Sequence, residues 1–444
     1  MTEPPAEWLD ELYDLLRIPS VSADPAHTED VRLAAEWVRD FIRSAGGEAE
    51  VQEGVRHPLV IGEIRASSEA DLAPTVIAYG HFDVQPPDPL DQWESEPFEP
   101  VVRDGWLFAR GIADDKGQLY MLLKGAALLA AEGALPVNVR FTCDGEEESG
   151  GHSIVDFLEA DERGADVCVI FDGHMLRVGV PVFELATRGI AYFHVRVRTG
   201  DRDLHSGVFG GAAMNATHAL MQVLSAVVPS DGRLHESLRV GIVPPSDEER
   251  AGWGELESGA DVLSAQGARP ADGQAVAEFY QRTWEEPAVD VHGLSGGSPE
   301  LQKTVLPVVA EANVSIRLAP GQDGDAISAA MEKLMREAAP EGAGVEVERL
   351  AMAPAALVRP EEKAIQLGLD AFERAVGARP LLLRVGGSLP VMSALEAKGI
   401  PTILTGFDLP EGNIHSPNER LRVEHIPLGV EAAKELYREF AKLR

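Results

Sequence analysis

Apolar residues recur every three or four positions over residues 7–17 and 29–44. In the second stretch Val31, Ala34, Ala35, Val38, Phe41 and Ile42 form one stripe that Gly46-Gly47 ends. That spacing predicts two amphipathic helices. Thr75-Val76-Ile77-Ala78-Tyr79 is instead a short, nearly unbroken apolar run, as in a buried strand, and at Gly80 it gives way to His81-Phe82-Asp83. Side chains two apart on extended chain share a side, so the pattern puts His81 and Asp83 together at the strand's end. A long amphipathic helix is predicted over 117–132, opening from Gly111-Ile112-Ala113-Asp114-Asp115-Lys116-Gly117. Strands follow at 137–143, running into Asp144-Gly145-Glu146-Glu147-Glu148, and at 166–171, ending in Asp172. Strand and helix alternating in this way argue for an α/β fold with a largely parallel sheet flanked by helices.

Near residue 187 the texture changes. Gly189-Ile190-Ala191-Tyr192-Phe193-His194-Val195-Arg196-Val197-Arg198 alternates apolar with polar, as a half-exposed antiparallel strand does. A helix over 212–228, a polar Gly-rich stretch over 244–275, a strand over 305–317 and a helix over 325–338 complete a block of different character. From about 356 the strand–helix alternation resumes, with a helix over 361–376, a strand at Leu381-Leu382-Leu383, a Gly-Gly-Ser turn and a strand over 401–404. The expected organisation is a discontinuous domain of residues 1–186 and 356–444, interrupted by an α+β domain of residues 187–355.

Length agrees with this division, since 444 residues exceed one ordinary core. The formal charge of −34 argues against nucleic acid or an anionic membrane surface as partner. Cys143 and Cys168 are the only cysteines; both fall in apolar runs and read as buried, inert thiols. The acidic N-terminus has no basic or apolar signal segment, and no apolar run approaches the ~20 residues of a membrane span. A cytoplasmic enzyme is expected.

The chemistry gathers where strands end. Open parallel sheets bind ligands beyond the carboxyl ends of their strands. Strand 75–79 leads to His81 and Asp83, strand 137–143 to Glu147 and Glu148, strand 166–171 to Asp172, and strand 401–404 to Gly412-Asn413-Ile414-His415. Asp114-Asp115 stands at a helix start, where carboxylates also serve as caps. Imidazole and carboxylate donors without thiolate suit zinc, with manganese or cobalt as alternatives, in a catalytic site. Two ions bridged by a carboxylate need about this many ligands.

At these residues the chain resembles the two-zinc exopeptidase family of carnosinases, carboxypeptidase G, aminoacylases and succinyl-diaminopimelate desuccinylases, most of all its carnosinase-like dipeptidase branch. The likeness runs in order along nearly the whole chain, through Gly80-His81-Phe82-Asp83-Val84-Gln85-Pro86, Arg110-Gly111-Ile112-Ala113-Asp114-Asp115-Lys116-Gly117 and Glu147-Glu148-Ser149-Gly150. It implies that His81 and Asp172 hold one metal, Glu148 and His415 the other, and that Asp114 bridges them. It further implies that Asp83 orients His81 and that Glu147 is the general base toward a water the two metals share. The interrupting block resembles the family's lid and dimerisation domain, which implies a homodimer. There Asp203-Leu204-His205-Ser206-Gly207 matches the motif whose His reaches the partner's site and steadies the oxyanion. Lys303-Thr304-Val305, Ser315-Ile316-Arg317 and Gly386-Gly387-Ser388 match segments near the substrate, so Thr304, Arg317, Gly387 and Ser388 are expected to bind it. Met352 stands where related dipeptidases often carry a His, which bears on the substrate and not on the metals. The implied reaction is hydrolysis of dipeptides or short peptides with a free C-terminal carboxylate; the alternative is removal of an acyl group from N-acyl amino acids.

A nucleophilic serine is the rival chemistry. Gly293-Leu294-Ser295-Gly296-Gly297 fits the G-x-S-x-G spacing, but Pro299 follows where a long helix is needed. His235-Glu236-Ser237-Leu238-Arg239 begins like a zincin helix and has Arg where the second His belongs.

Overall fold

The computed structural model describes residues 3–444 except 231, 299 and 388. It divides into two compact units, residues 1–185, 358–383 and 394–444 forming the first and residues 186–357 and 384–393 the second.

The first unit is built on a mixed sheet. At its centre Asn138–Asp144, Thr75–His81, Val167–Phe171 and Thr402–Thr405 lie side by side in that order, every pair parallel. Leu59–Ile64 adds antiparallel on one side and Val180–Thr187 on the other. The central strands are buried along nearly their whole length, as parallel strands covered on both faces must be. Helix Lys116–Ala131 is almost entirely buried between the sheet and helix His425–Phe440, and Gly125 lets it approach Ala433 closely. The chain lays down Thr75–His81 first, then one neighbour and then the other. The crossover therefore changes direction at this strand and opens a crevice at its carboxyl end.

Register aligns what lies at that crevice. His81 pairs with Asp144, and Tyr79 stands level with Ile170, so His81 and Asp172 come level two residues further on. Gly80 has a specific reason to be glycine: a Cβ there would stand 2.7 Å from Asp115 Oδ2. Short strands that the pattern did not reveal, Val101–Arg103, Trp106–Phe108 and Arg420–Arg422, form a small separate antiparallel sheet.

The second unit is a four-stranded antiparallel sheet in the order Ala288–Ser295, Val309–Leu318, Gly189–Arg198, Gly344–Ala353. The alternation read at 189–198 is the burial pattern found, with Ala191, Phe193, Val195 and Val197 inside. These pack with Val314 and Ile316 against helices Ala216–Ser225 and Gly324–Glu337, giving this unit its own core. Cys143 and Cys168 are free and buried, and burial pushes both thiols well up. No described helix is long and apolar enough to cross a membrane.

Candidate active site

Five of the side chains singled out in the sequence meet at the crevice. His81 Nε2 lies 2.9 Å from Asp114 Oδ1 and 3.9 Å from Asp172 Oδ1. His415 Nε2 lies 2.9 Å from Asp114 Oδ2 and 3.2 Å from Glu148 Oε2. The result is two groups able to hold a metal ion, His81–Asp114–Asp172 and Asp114–Glu148–His415, with Asp114 common to both. One oxygen of Asp114 faces each imidazole.

The donor set has the character of a cation site. His81 Nε2 and Glu148 Oε1 are buried with no hydrogen-bond partner, a costly condition for polar atoms unless something else satisfies them. The electrostatics point the same way. Burial disfavours charge on His81, yet Asp114, Asp172 and Asp83 together raise its pKa well above the usual value. Hydrogen bonds to Asp114 and Glu148 push His415 up to about 10. Burial works against ionising Asp114, but His415 and His81 hold its carboxyl well below the usual range. The centre therefore selects positive charge.

Surrounding groups fix these donors in place. His81 Nδ1 donates to the backbone carbonyl of Asp83 at 3.1 Å, which leaves Nε2 as the lone-pair nitrogen. Asp83 Oδ1 is 3.4 Å from the same ring nitrogen, and Asp83 Oδ2 accepts the Glu148 N–H at 3.0 Å. One buried aspartate thus ties together residues of both groups. Gln85 Nε2 donates to Glu148 Oε2 at 2.9 Å. Asp115 does not cap the helix it precedes; its Oδ2 accepts the His81 N–H at 3.0 Å. The Asp114-Asp115 peptide is cis. His415 has a φ of 57°, an uncommon backbone state for a residue other than glycine and one that gathers at functional sites.

The three consecutive glutamates divide their work. Glu146 is buried, and its carboxylate accepts backbone N–H groups from Arg56, His57 and Ser153, so it holds the loop. Glu148 faces His415. Glu147 is pushed up to about 8, chiefly by burial; His81 opposes, and Asp172, Glu148 and Asp83 add.

Two residues outside the sequence reading stand out, buried Glu419 in the first unit and half-buried Arg188 in the second. Glu419 accepts backbone N–H bonds from Gly111, Ala113 and Asp114 at 2.8–3.1 Å and an Arg110 guanidinium bond at 2.7 Å. Its only signal in the sequence is its place four residues after His415. Arg188, in the second unit, is the other. Its N–H donates to Gly387 O at 2.9 Å and its Nε to Gly386 O at 3.3 Å. Its guanidinium is pushed down to about 10 by burial and by Arg317, with Asp290 opposing. Arg317 pairs in register with Ile190, so Arg188 and Arg317 project from one face of the sheet. Arg317 and Gly387 thus gather around Arg188, while Ser388 lies outside the described residues. His205 and Thr304 form a second group in that unit. The strand Leu204–His205 pairs with Val305–Leu306, and the Ser206 N–H donates to Thr304 O at 3.0 Å. His205 is exposed, and its Nδ1 accepts the Gly207 N–H at 3.0 Å, so the neutral ring presents Nε2–H as a donor.

The sequence signature of Peptidase family M20/M25/M40 matches residues 77–439. The chain belongs to this peptidase family. The peptidase is 28% identical over 436 residues to the cysteinylglycine-S-conjugate dipeptidase of Corynebacterium striatum, covering 94% of this chain and 92% of that one. It is 29% identical over 324 residues to the human β-Ala-His dipeptidase, covering 71% of this chain and 62% of the relative. Among solved structures, an M20 family metallo-carboxypeptidase from Sulfolobus solfataricus superposes with a TM-score of 0.81. It covers 98% of this chain and 99% of the other at 23% identity, a likeness of fold.

Proposed function

We propose that this peptidase is a metal-dependent dipeptidase acting on dipeptides and short peptides with a free C-terminal carboxylate. The observation that carries this is Asp114, whose two oxygens each stand 2.9 Å from a different imidazole. His81, Asp114 and Asp172 would hold one divalent ion and Asp114, Glu148 and His415 the second, with Asp114 common to both groups. Zinc is the first choice, since the donors are nitrogen and oxygen and both cysteines are buried elsewhere. When bound, the two ions lower the pKa of water toward neutrality and polarise the scissile carbonyl.

The protein's own groups do the rest. Glu147 takes the proton of the attacking water and returns it to the leaving amine, a task suited to a carboxyl whose burial raises its pKa toward neutrality. Asp83 holds His81 in the tautomer that leaves Nε2 for the ion. His205 donates Nε2–H to the oxyanion. Arg317, with Arg188 beside it, clamps the substrate carboxylate, and Thr304, Gly387 and Ser388 are the further residues assigned to substrate binding. Two buried free thiols fit the reducing cytoplasm.

The second unit acts as lid and as dimer contact. Supporting this, Ala288–Ser295 is an edge strand, and Leu294 on it and Met221 on helix Ala216–Ser225 are exposed. If His205 serves the partner's site, mixing His205→Ala with Glu147→Ala protein restores activity. Random reassortment makes half the dimers hybrid, each with one whole site, so recovery is bounded at about one quarter of the wild-type rate. No recovery after verified subunit exchange assigns His205 to its own subunit's site or to none.

The test of the function itself is a panel of dipeptides and N-acyl amino acids, assayed with zinc or manganese and with chelator. Dipeptides are expected to be cleaved, the rate to vanish with chelator and to return with metal. Preferential cleavage of N-acyl amino acids, or full rates from metal-stripped protein, rejects the proposal.

A further inference from the structure

A cavity of about 480 Å³ opens in the first unit beside the carboxylate–imidazole cluster, within the ~300–1,000 Å³ of small-ligand sites. Asp114 and Asp172 form part of its wall; His174, Glu184 and Asp408 form another part, with apolar Leu409 and Ile414. Neither Glu184 nor Asp408 belongs to the two metal-holding groups. Glu184 is 7% exposed and lies opposite Leu404 in the sheet, its Oε1 3.2 Å from His174 Nδ1. Asp408 is also 7% exposed; its Oδ1 is turned in against Gly412, where a Cβ would collide with it. Its backbone carbonyl accepts the Met175 N–H at 2.8 Å, which fixes it beside His174. Gln118 has no amide to offer the cavity: Nε2 donates to Ala113 O and Gly173 O, and Oε1 accepts the Phe407 N–H.

This wall therefore sets two nearly buried carboxylates against one imidazole. Two carboxylates set against one imidazole in a largely buried wall favour a ligand that brings positive charge and N–H donors. A dipeptide carries such a group in a definite place. Its free ammonium sits on the carbon bonded to the scissile carbonyl, so it must lie close to the groups that hold the metals. The cavity shares Asp114 and Asp172 with those groups. An N-acyl amino acid has no charge there.

We propose that this cavity receives the N-terminal residue of the substrate, and that Glu184 and Asp408 recognise its free ammonium group. The proposal rests on the dipeptidase reading above and extends it to the N-terminal side of the substrate. It makes Glu184 and Asp408 specificity determinants that bind the substrate without taking part in the chemistry.

The test compares a dipeptide with its desamino analogue, in which hydrogen replaces the ammonium group. Zinc-loaded wild type is expected to favour the dipeptide at least about tenfold in kcat/KM, the scale of a hydrogen bond to a charged group. Glu184→Gln and Asp408→Asn are each expected to shrink that preference, through KM and not kcat. Binding of the same two ligands, measured calorimetrically in the zinc-loaded Glu147→Ala protein, is expected to show the same preference without turnover. Equal wild-type values for the two ligands overturn the subsite, and that comparison needs no substitution to fold. Variants that slow both ligands alike also overturn it, because that marks a structural pair. In both cases the dipeptidase reading stands. If the loaded wild type neither cleaves nor binds either ligand, the dipeptidase reading fails and the subsite falls with it.

Discussion

Glu147→Ala is expected to keep both metal ions and lose turnover by about 100- to 10,000-fold, the range of general acid–base catalysis; Glu148→Ala is expected to lose metal. The two carboxylates are adjacent in sequence, and only their surroundings separate them. Glu148 Oε2 is 3.2 Å from His415 Nε2 and accepts from Gln85 at 2.9 Å, so it is positioned as a donor to an ion. Removing it takes one of three donors from the Asp114–Glu148–His415 group. Glu147 belongs to neither metal-holding group, and burial raises its pKa to about 8. A carboxyl raised that far can pick up and release a proton near neutral pH. Metal content after dialysis, measured beside kcat on one dipeptide, separates the two outcomes. Near wild-type kcat in Glu147→Ala would move the base to another residue. Loss of metal from Glu147→Ala would make it a ligand. Glu146→Ala is the useful contrast: its carboxylate accepts three backbone N–H groups, so it should cost stability and not act on the chemistry alone.

How far the sequence carried this picture depends on what each residue answers to. Strand ends were legible because a buried parallel strand is a short apolar run, and the polar residues that end it must face the crevice. His81, Asp114, Glu148, Asp172 and His415 were all found that way or through the ordered motifs, and the structure gathers them. The alternation at 189–198 was legible because one face of that strand meets a core and the other does not. The short strands Val101–Arg103, Trp106–Phe108 and Arg420–Arg422 were not, since three residues carry too little pattern and their pairing joins distant segments. Glu419 and Arg188 were missed for a related reason. Each acts by bonding backbone groups, and no side-chain spacing records which N–H or carbonyl will lack a partner. Asp115 settles an alternative the sequence left open: its position also allowed a helix cap, and Gly80 leaves room for it to reach the His81 N–H instead.

Glu419→Ala is expected to lower the stability of the metal-free protein by about 3–5 kcal/mol, the range for breaking a buried ion pair, and to weaken metal binding as well. Glu419 is fully buried, as is Arg110, its partner at 2.7 Å. Removing the carboxylate leaves a guanidinium charge without its counter-ion. It also strips the acceptor from the N–H groups of Gly111, Ala113 and Asp114, the loop that carries the bridging aspartate. These two losses can be told apart. Replacing both Arg110 and Glu419 by leucine removes the charge problem, and such replacements of buried pairs are often nearly neutral. If the ion pair were all that mattered, the double variant would recover the wild-type urea midpoint. The three orphaned N–H groups argue that it will not, because nothing apolar can accept them. Glu419→Gln sharpens the comparison, since the amide oxygen can still accept from Ala113 and Asp114, while the amide NH2 faces the Gly111 N–H and Arg110 and the charge is lost. The expected order of both stability and zinc affinity is wild type, then Glu419→Gln, then the double leucine variant. A double variant as stable and as zinc-avid as wild type would reduce Glu419 to a counter-ion and leave the placement of Asp114 to the rest of the fold.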